Sequence, residues 1–144
     1  MEIFQIIRNS QIITHYIYKL YFKYAHSPVY KQELCATGIF IIIMIAQHKC
    51  QTISQIQQRS MLKQPTLSKS ISNLIELNYI TKQIKGKEHW LFLTKKGQAT
   101  YDEIINILLE VEKSIKKNVP QQLIHNYLKA SEELAKVLDN PIMK

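Results

Sequence analysis

The sequence predicts a mainly α fold with a small β-hairpin wing, a winged helix-turn-helix flanked by long N- and C-terminal helices suited to dimerisation. Three observations predict it. A capping box, Thr52-Ile53-Ser54-Gln55, opens a short helix, and a second helix with Pro65 in its first turn follows after a tight turn. Two strand-like runs joined by Lys85-Gly86-Lys87-Glu88 come directly after it. Helical periodicity fills most of both ends of the chain.

Residues 2–25 form one long helical pattern, with Ile3, Ile6, Ile7, Ile13, Ile17, Leu20, Tyr21 and Tyr24 at three- and four-residue spacing. Ser27-Pro28 breaks it, because proline pushes the preceding residue out of the α region. A second helix is predicted over 34–48; its run from Gly38 to Ala46 is apolar nearly all round and belongs in the core. The Thr52 hydroxyl can accept the amide of Gln55, whose side chain can reach back to the amide of Thr52. The helix so capped runs to Arg59, and Ser60 to Lys63 makes the turn. Pro65 suits the first turn of the next helix, where its missing N–H would be unpaired anyway. That helix runs from Gln64 to Leu77, and Asn78 can take the left-handed conformation that closes it. Tyr79–Ile84 and His89–Leu93 read as strands, Thr94 can cap a third long helix over Gly97–Lys117, and a last helix spans 121–138 after Asn118-Val119-Pro120. There is no internal repeat and no low-complexity segment.

A hydrophobic content of 46% suffices for a core, and 144 residues suit a single domain, 1–144. The formal net charge of +8 favours an anionic partner, either nucleic acid or an acidic membrane surface. Location decides between them. Residues 52–96 hold Arg59 and lysines 63, 69, 82, 85, 87, 95 and 96 against only Glu76 and Glu88, so +6 of the +8 sits in the helix-turn-helix and hairpin. Cys35 and Cys50 form no CxxC pattern, which argues against a disulfide scaffold or structural zinc and fits a reducing cytoplasm. The start Met1-Glu2-Ile3-Phe4 lacks the marks of a signal peptide, and the longest apolar stretch, Ile39–Ala46, is far below the ~20 residues a membrane span needs. The expectation is a cytoplasmic protein without a membrane partner.

On the helix from Gln64 to Leu77, Leu67, Ile71, Leu74 and Ile75 share one face at helical spacing and would pin it to the domain. The opposite face carries Pro65, Thr66, Lys69, Ser72 and Asn73, with Ser68 at its margin. Small hydroxyls, a lysine and an amide at the start of a pinned helix suit the major groove of duplex DNA: lysine donates to guanine, asparagine bonds adenine, and hydroxyls take phosphate or base edges. Lys85 and Lys87 at the hairpin tip, with Lys82 on its stem, would reach the adjacent backbone or minor groove. Ser54, Arg59 and Lys63 complete the candidate DNA-binding set. A solvated hairpin whose lysines only confer solubility is the bland alternative.

Four segments carry a family resemblance: Thr52-Ile53-Ser54-Gln55-Ile56, Thr66-Leu67-Ser68-Lys69-Ser70-Ile71, Leu74-Ile75-Glu76-Leu77-Asn78-Tyr79-Ile80 and Leu93-Thr94-Lys95-Lys96-Gly97. Together they resemble the MarR family of winged-helix transcription regulators, over most of the chain. The resemblance implies a homodimer, with 2–25 and 97–138 as dimerisation helices and 34–96 as the DNA-binding module. It implies one recognition helix per half of a pseudo-palindromic operator, with Pro65, Thr66, Ser68, Lys69 and Asn73 at the recognition positions. It implies a repressor more often than an activator. Two departures stand out. The family's wing usually carries Asp-x-Arg, where this chain has Lys85 and Lys87, and lysine cannot reproduce the planar fork of arginine. Asn78 stands where glycine is common.

The dimer has support of its own. The first helix carries Phe4, Tyr16, Tyr18, Tyr21, Phe22 and Tyr24, and the last carries Leu123, Ile124, Tyr127, Leu128, Leu134 and Leu138, more apolar surface than one buried stripe requires. Many relatives release DNA when a small, often aromatic and anionic, molecule binds; first-helix aromatics and Tyr30 could line such a cleft, although core packing accounts for them better. Cys50, beside His48 and Lys49, is a candidate redox residue, with an idle loop position as the alternative. The histidines are scattered, and no catalytic signature or cofactor motif is present, so neither an enzyme, a metal centre nor a cofactor is expected. Two other functions remain open: a winged-helix protein of replication or plasmid maintenance, and a protein-interaction adaptor that does not bind DNA.

Overall fold

The computed structural model describes residues 1–25, 34–47, 51–60 and 62–140. In order these form α1 (Glu2–Tyr24), α2 (Ala36–Ala46), α3 (Ile53–Arg59), α4 (Gln64–Glu76), β1 (Ile80–Lys85), β2 (Glu88–Leu93), α5 (Lys95–Asn118) and α6 (Gln121–Leu138). Two compact units divide the chain, residues 1–108 and 109–144. The predicted break at Ser27-Pro28, together with Tyr30 and the candidate redox residue Cys50, lies outside the described residues.

The first unit is built on α2, which is apolar on nearly every side and buries Gly38, Ile39, Ile41, Ile42 and Ile45. Fully burying an isoleucine side chain stabilises by roughly 1.5–3 kcal/mol, so this one helix is a large share of the driving force. It packs on α4 and β2, while α3 packs on β2 and α4 on β1. Ile56, Leu67, Ile71, Leu74, Tyr79, Ile80 and Leu91 join α2 in the core, with Tyr21, Ala25, Leu34 and Ile104.

The predicted capping box is present in both halves. The Gln55 amide donates to Thr52 Oγ1 at 3.1 Å, and the Thr52 amide donates to Gln55 Oε1 at 3.0 Å. Helix α4 starts at Gln64 with proline in its first turn and ends at Glu76, one residue before the predicted end. Its closure explains the difference. Asn78 adopts φ +66°, its amide donates to the Ile75 carbonyl at 3.0 Å, and the Tyr79 amide donates to Leu74 at 2.9 Å, the paired bonds of a Schellman motif.

The strands pair antiparallel from Ile80 opposite Leu93 to Lys85 opposite Glu88. Pairing therefore runs one residue further at each side of the tip than the sequence suggested, leaving a two-residue turn. Gly86 has φ +64° and Lys87 does not share a positive φ, as in a type II′ hairpin, which requires glycine at the first central position. A single bridge from Thr52 to Trp90, and a 2.7 Å bond from the Leu91 amide to the Gln51 carbonyl, tie the entry of α3 to β2.

A clasp joins the exit of the hairpin to the end of α4. Thr94 caps α5 by accepting the Gly97 amide at 3.0 Å, so the helix begins at Lys95 rather than Gly97. The same hydroxyl donates to the Asn78 carbonyl at 2.6 Å. Lys96 Nζ donates to the Leu77 carbonyl at 2.8 Å and lies 4.2 Å from the centre of the Tyr79 ring. That satisfies a carbonyl left free at the α4 C-terminus and places a cation at the negative end of its dipole.

Tyr21, the one fully buried side chain of α1, carries a hydroxyl that has no hydrogen-bond partner among the described residues. Burial first, then the Glu103 carboxylate and Tyr18, push its pKa up to about 12. Tyr21→Phe is therefore expected to preserve stability at neutral pH or raise it by about 1 kcal/mol, measured by thermal melting. The unfolded tyrosine ionises near pH 10, so this group's contribution is complete below pH 10 and is lost as pH climbs toward 12. The phenylalanine variant should lose less stability across that window.

In the second unit, α5 continues from Leu109 and is followed by α6. Exposed pairs Lys113–Glu110 (3.1 Å) and Lys116–Glu112 (2.6 Å) support the helix by a few tenths of a kcal/mol each. No residue of α6 is buried within the chain, and Leu123, Tyr127, Leu128, Leu134, Val137 and Leu138 all lie exposed. The start of α1 is equally bare at Ile3, Phe4, Ile6, Ile7 and Ile12.

Candidate nucleic-acid interface

Helix α4 divides its surface by angle. Leu67, Ile71 and Leu74 are buried, which fixes the helix, and Pro65, Thr66, Lys69 and Asn73 then point outward, all exposed. Ser68 and Ser72 fall between these two faces and look toward the hairpin. The N-cap residue of α4, Lys63, makes no side-chain capping bond, and an exposed helix start of this kind suits an anion.

Between α3, α4 and the hairpin lies a groove of about 750 Å3. It brings together Ser54 from α3, Ser68 and Ser72 from α4, and Lys82 and Lys87 from the hairpin. These five candidates come from three separate stretches of sequence and meet on one surface. Gln57, Gln64, Glu88, His89 and Trp90 line the same groove, and none was a candidate from sequence. Period-two alternation offered a signal for His89: it shares a strand face with Lys82, diagonal to it across the ladder. Trp90 read as ordinary strand hydrophobicity, and only the register places it beside the tip.

The other candidates separate. Lys85 is exposed, but its ammonium lies over the Trp90 ring at 5.4 Å and the Phe92 ring at 5.9 Å, so an aromatic shelf holds it while Lys87 lines the groove. Arg59 is also exposed, yet it lines a different, smaller hollow of about 260 Å3 with Tyr18, Thr37, Phe40 and Leu62. Burial first, then Cys35, raises the pKa of Tyr18 in that hollow. Lys96, part of the basic count, is engaged with the Leu77 carbonyl and the Tyr79 ring.

The groove sets hydroxyls, amides and two lysines beside Ile53, Ile71, Ile75 and Trp90, with Glu88 as its acid. Such a surface can take a chain of phosphates while the outward face of α4 meets base edges. Among the described residues no group of three metal-ligating side chains occurs, and no helix is long and apolar enough to cross a membrane.

No protein-family model matches the chain. In sequence it is similar to an uncharacterized HTH-type transcriptional regulator of Staphylococcus aureus (strain MSSA476), 25% identical over 127 residues that span 85% of this chain and 87% of the relative. In structure it is similar to Staphylococcus aureus MarR in complex with salicylate and kanamycin, with TM-score 0.70 and 23% identity over 96% of this chain and 93% of the other. It is likewise similar to a mutant MarR from E. coli complexed with operator DNA, with TM-score 0.72 and 12% identity over 92% and 95% of the two chains.

Proposed function

We propose that this chain, whose fold is that of the MarR-type transcription regulators, is itself a DNA-binding transcription regulator and not an enzyme. The observation that carries this is the meeting of an outward polar face on a pinned helix with a basic groove under a hairpin. In this reading Lys69 and Asn73 read bases, Thr66 and Ser68 fix phosphates, and Lys82 and Lys87 hold the flanking backbone. The protein acts in the cytoplasm as a homodimer on a pseudo-palindromic operator, blocking a promoter by occupying it. Support for the dimer is the exposed apolar surface that α1 and α6 each carry.

Release is assigned to a small aromatic anion rather than to Cys50 oxidation. The hollow is lined by Arg59, Tyr18 and Phe40, residue types suited to a carboxylate on a ring, such as the salicylate of the Staphylococcus aureus neighbour.

In vitro selection from a random duplex pool at about 150 mM salt, near physiological, tests the reading. Enrichment of an inverted repeat with half-sites about one helical turn apart is expected. Retention without enrichment would favour an architectural or replication role, and no retention would favour an adaptor.

A further inference from the structure

The hairpin holds a polar contact that the DNA-binding reading leaves unused. Trp90 Nε1 donates to Glu88 Oε2 at 3.0 Å, and both residues line the groove beside Lys82 and Lys87. A carboxylate is the wrong charge for a surface that receives phosphates. We propose that the Trp90 indole N–H is a phosphate donor of this groove, occupied in the free protein by the Glu88 carboxylate, which DNA must displace. The inference rests on the DNA-binding reading.

Three features support it. Indole nitrogen is a donor only, so its natural partner in a basic groove is an anionic oxygen, and carboxylate and phosphate compete for the same position. The donor is also fixed in advance. Trp90 bridges to Thr52, and the next residue, Leu91, bonds the Gln51 carbonyl, so the ring sits on anchored backbone. Finally, Glu88 has somewhere to go. Lys85 is its cross-strand partner, yet no ion pair joins them among the described residues; Lys85 instead lies over the Trp90 and Phe92 rings. A carboxylate leaving the indole meets that ammonium directly across the ladder.

The competitor makes a specific pattern in a double-mutant cycle. In the parent, DNA exchanges one indole bond for another, so removing the N–H costs little. With glutamine at 88 the competitor is a neutral amide oxygen, a weaker acceptor than a carboxylate, so phosphate displaces it readily and loss of the N–H costs more. The experiment measures duplex affinity for the parent, Glu88→Gln, Trp90→Phe and the double variant, with thermal melting to confirm folding. Glu88→Gln should bind several-fold tighter, and Trp90→Phe in that background should weaken binding about tenfold, the worth of one charge-assisted bond. In the parent background the same change should cost clearly less.

A larger cost in the parent than in the Glu88→Gln background would overturn the proposal, because Trp90 would then only be holding Glu88 aside. Equal or absent costs would overturn it too. Trp90 is the sole tryptophan, so its emission gives a second readout that needs no tryptophan variant. Emission that changes on adding duplex, with tighter binding by Glu88→Gln, supports the proposal even if Trp90→Phe fails to fold. Unchanged emission, or no tightening, overturns it. Absence of salt-dependent duplex binding by the parent would overturn the regulator reading itself and this inference with it; parent binding with the wrong cycle overturns the inference alone.

Discussion

Gly97→Ala is expected to destabilise the protein by roughly 3 kcal/mol or more, the upper range for overpacking. In an exposed helix the same substitution would stabilise by about 1 kcal/mol, because alanine is the better helix former. Here a Cβ on Gly97 would lie 2.0 Å from the Tyr79 carbonyl oxygen and 3.3 Å from Leu93. The nearest atom is backbone, so no side-chain rotation relieves the clash. Either α5 or the turn after α4 must move, and the clasp made by Thr94 and Lys96 holds both. Urea unfolding should show a lower midpoint with an unchanged slope, while Gln98→Ala, one residue away and exposed, should change it little. A Gly97→Ala midpoint equal to the parent's would mean that α5 does not approach Tyr79 so closely.

The second large effect concerns binding. Lys69→Ala should cost ~1–3 kcal/mol on the preferred site and relax the sequence preference at one position of each half-site, as a lost base contact does. Lys87→Ala should weaken all sequences alike and reduce the salt slope by about one phosphate's worth. The contrast follows from placement. Lys69 stands on the outward face of a helix pinned by Leu67, Ile71 and Leu74, whereas Lys87 sits in the turn and lines the groove. Affinity measured over a series of salt concentrations, on preferred and scrambled duplexes, separates the two roles. Unchanged operator binding by Lys69→Ala would remove α4 from the recognition role.

Local rules made much of the fold legible. The capping box at Thr52 and Gln55, proline in the first turn of α4, the left-handed Asn78 and the cap at Thr94 each depend on residues a few positions apart. Helix α6 spans the predicted 121–138 for the same reason. The errors are small and have local causes: α2 begins at Ala36 because Cys35 is still extended, and the strands extend to Lys85 and from Glu88 because Gly86 permits a two-residue turn. The candidate interface was legible only in part. Charge marked the segment that holds the groove, but counted Lys96, which is occupied with the α4 terminus, and grouped Arg59 with lysines it does not join.

The sequence by itself determined which segments are helices and strands, which face of α4 is apolar, and that the positive charge gathers between Thr52 and Lys96. Those are properties of spacing, and side chains three or four positions apart on a helix, or two apart on a strand, share a face whatever surrounds them. Tertiary structure alone decided what meets what. Ser54, Ser68, Lys82 and Trp90 line one groove because α3, α4 and the hairpin pack around the same core. The requirement for glycine at position 97 arises where two backbones separated by 18 residues touch. Contacts of that kind are set by how the buried faces fit together, and no window along the chain contains both partners.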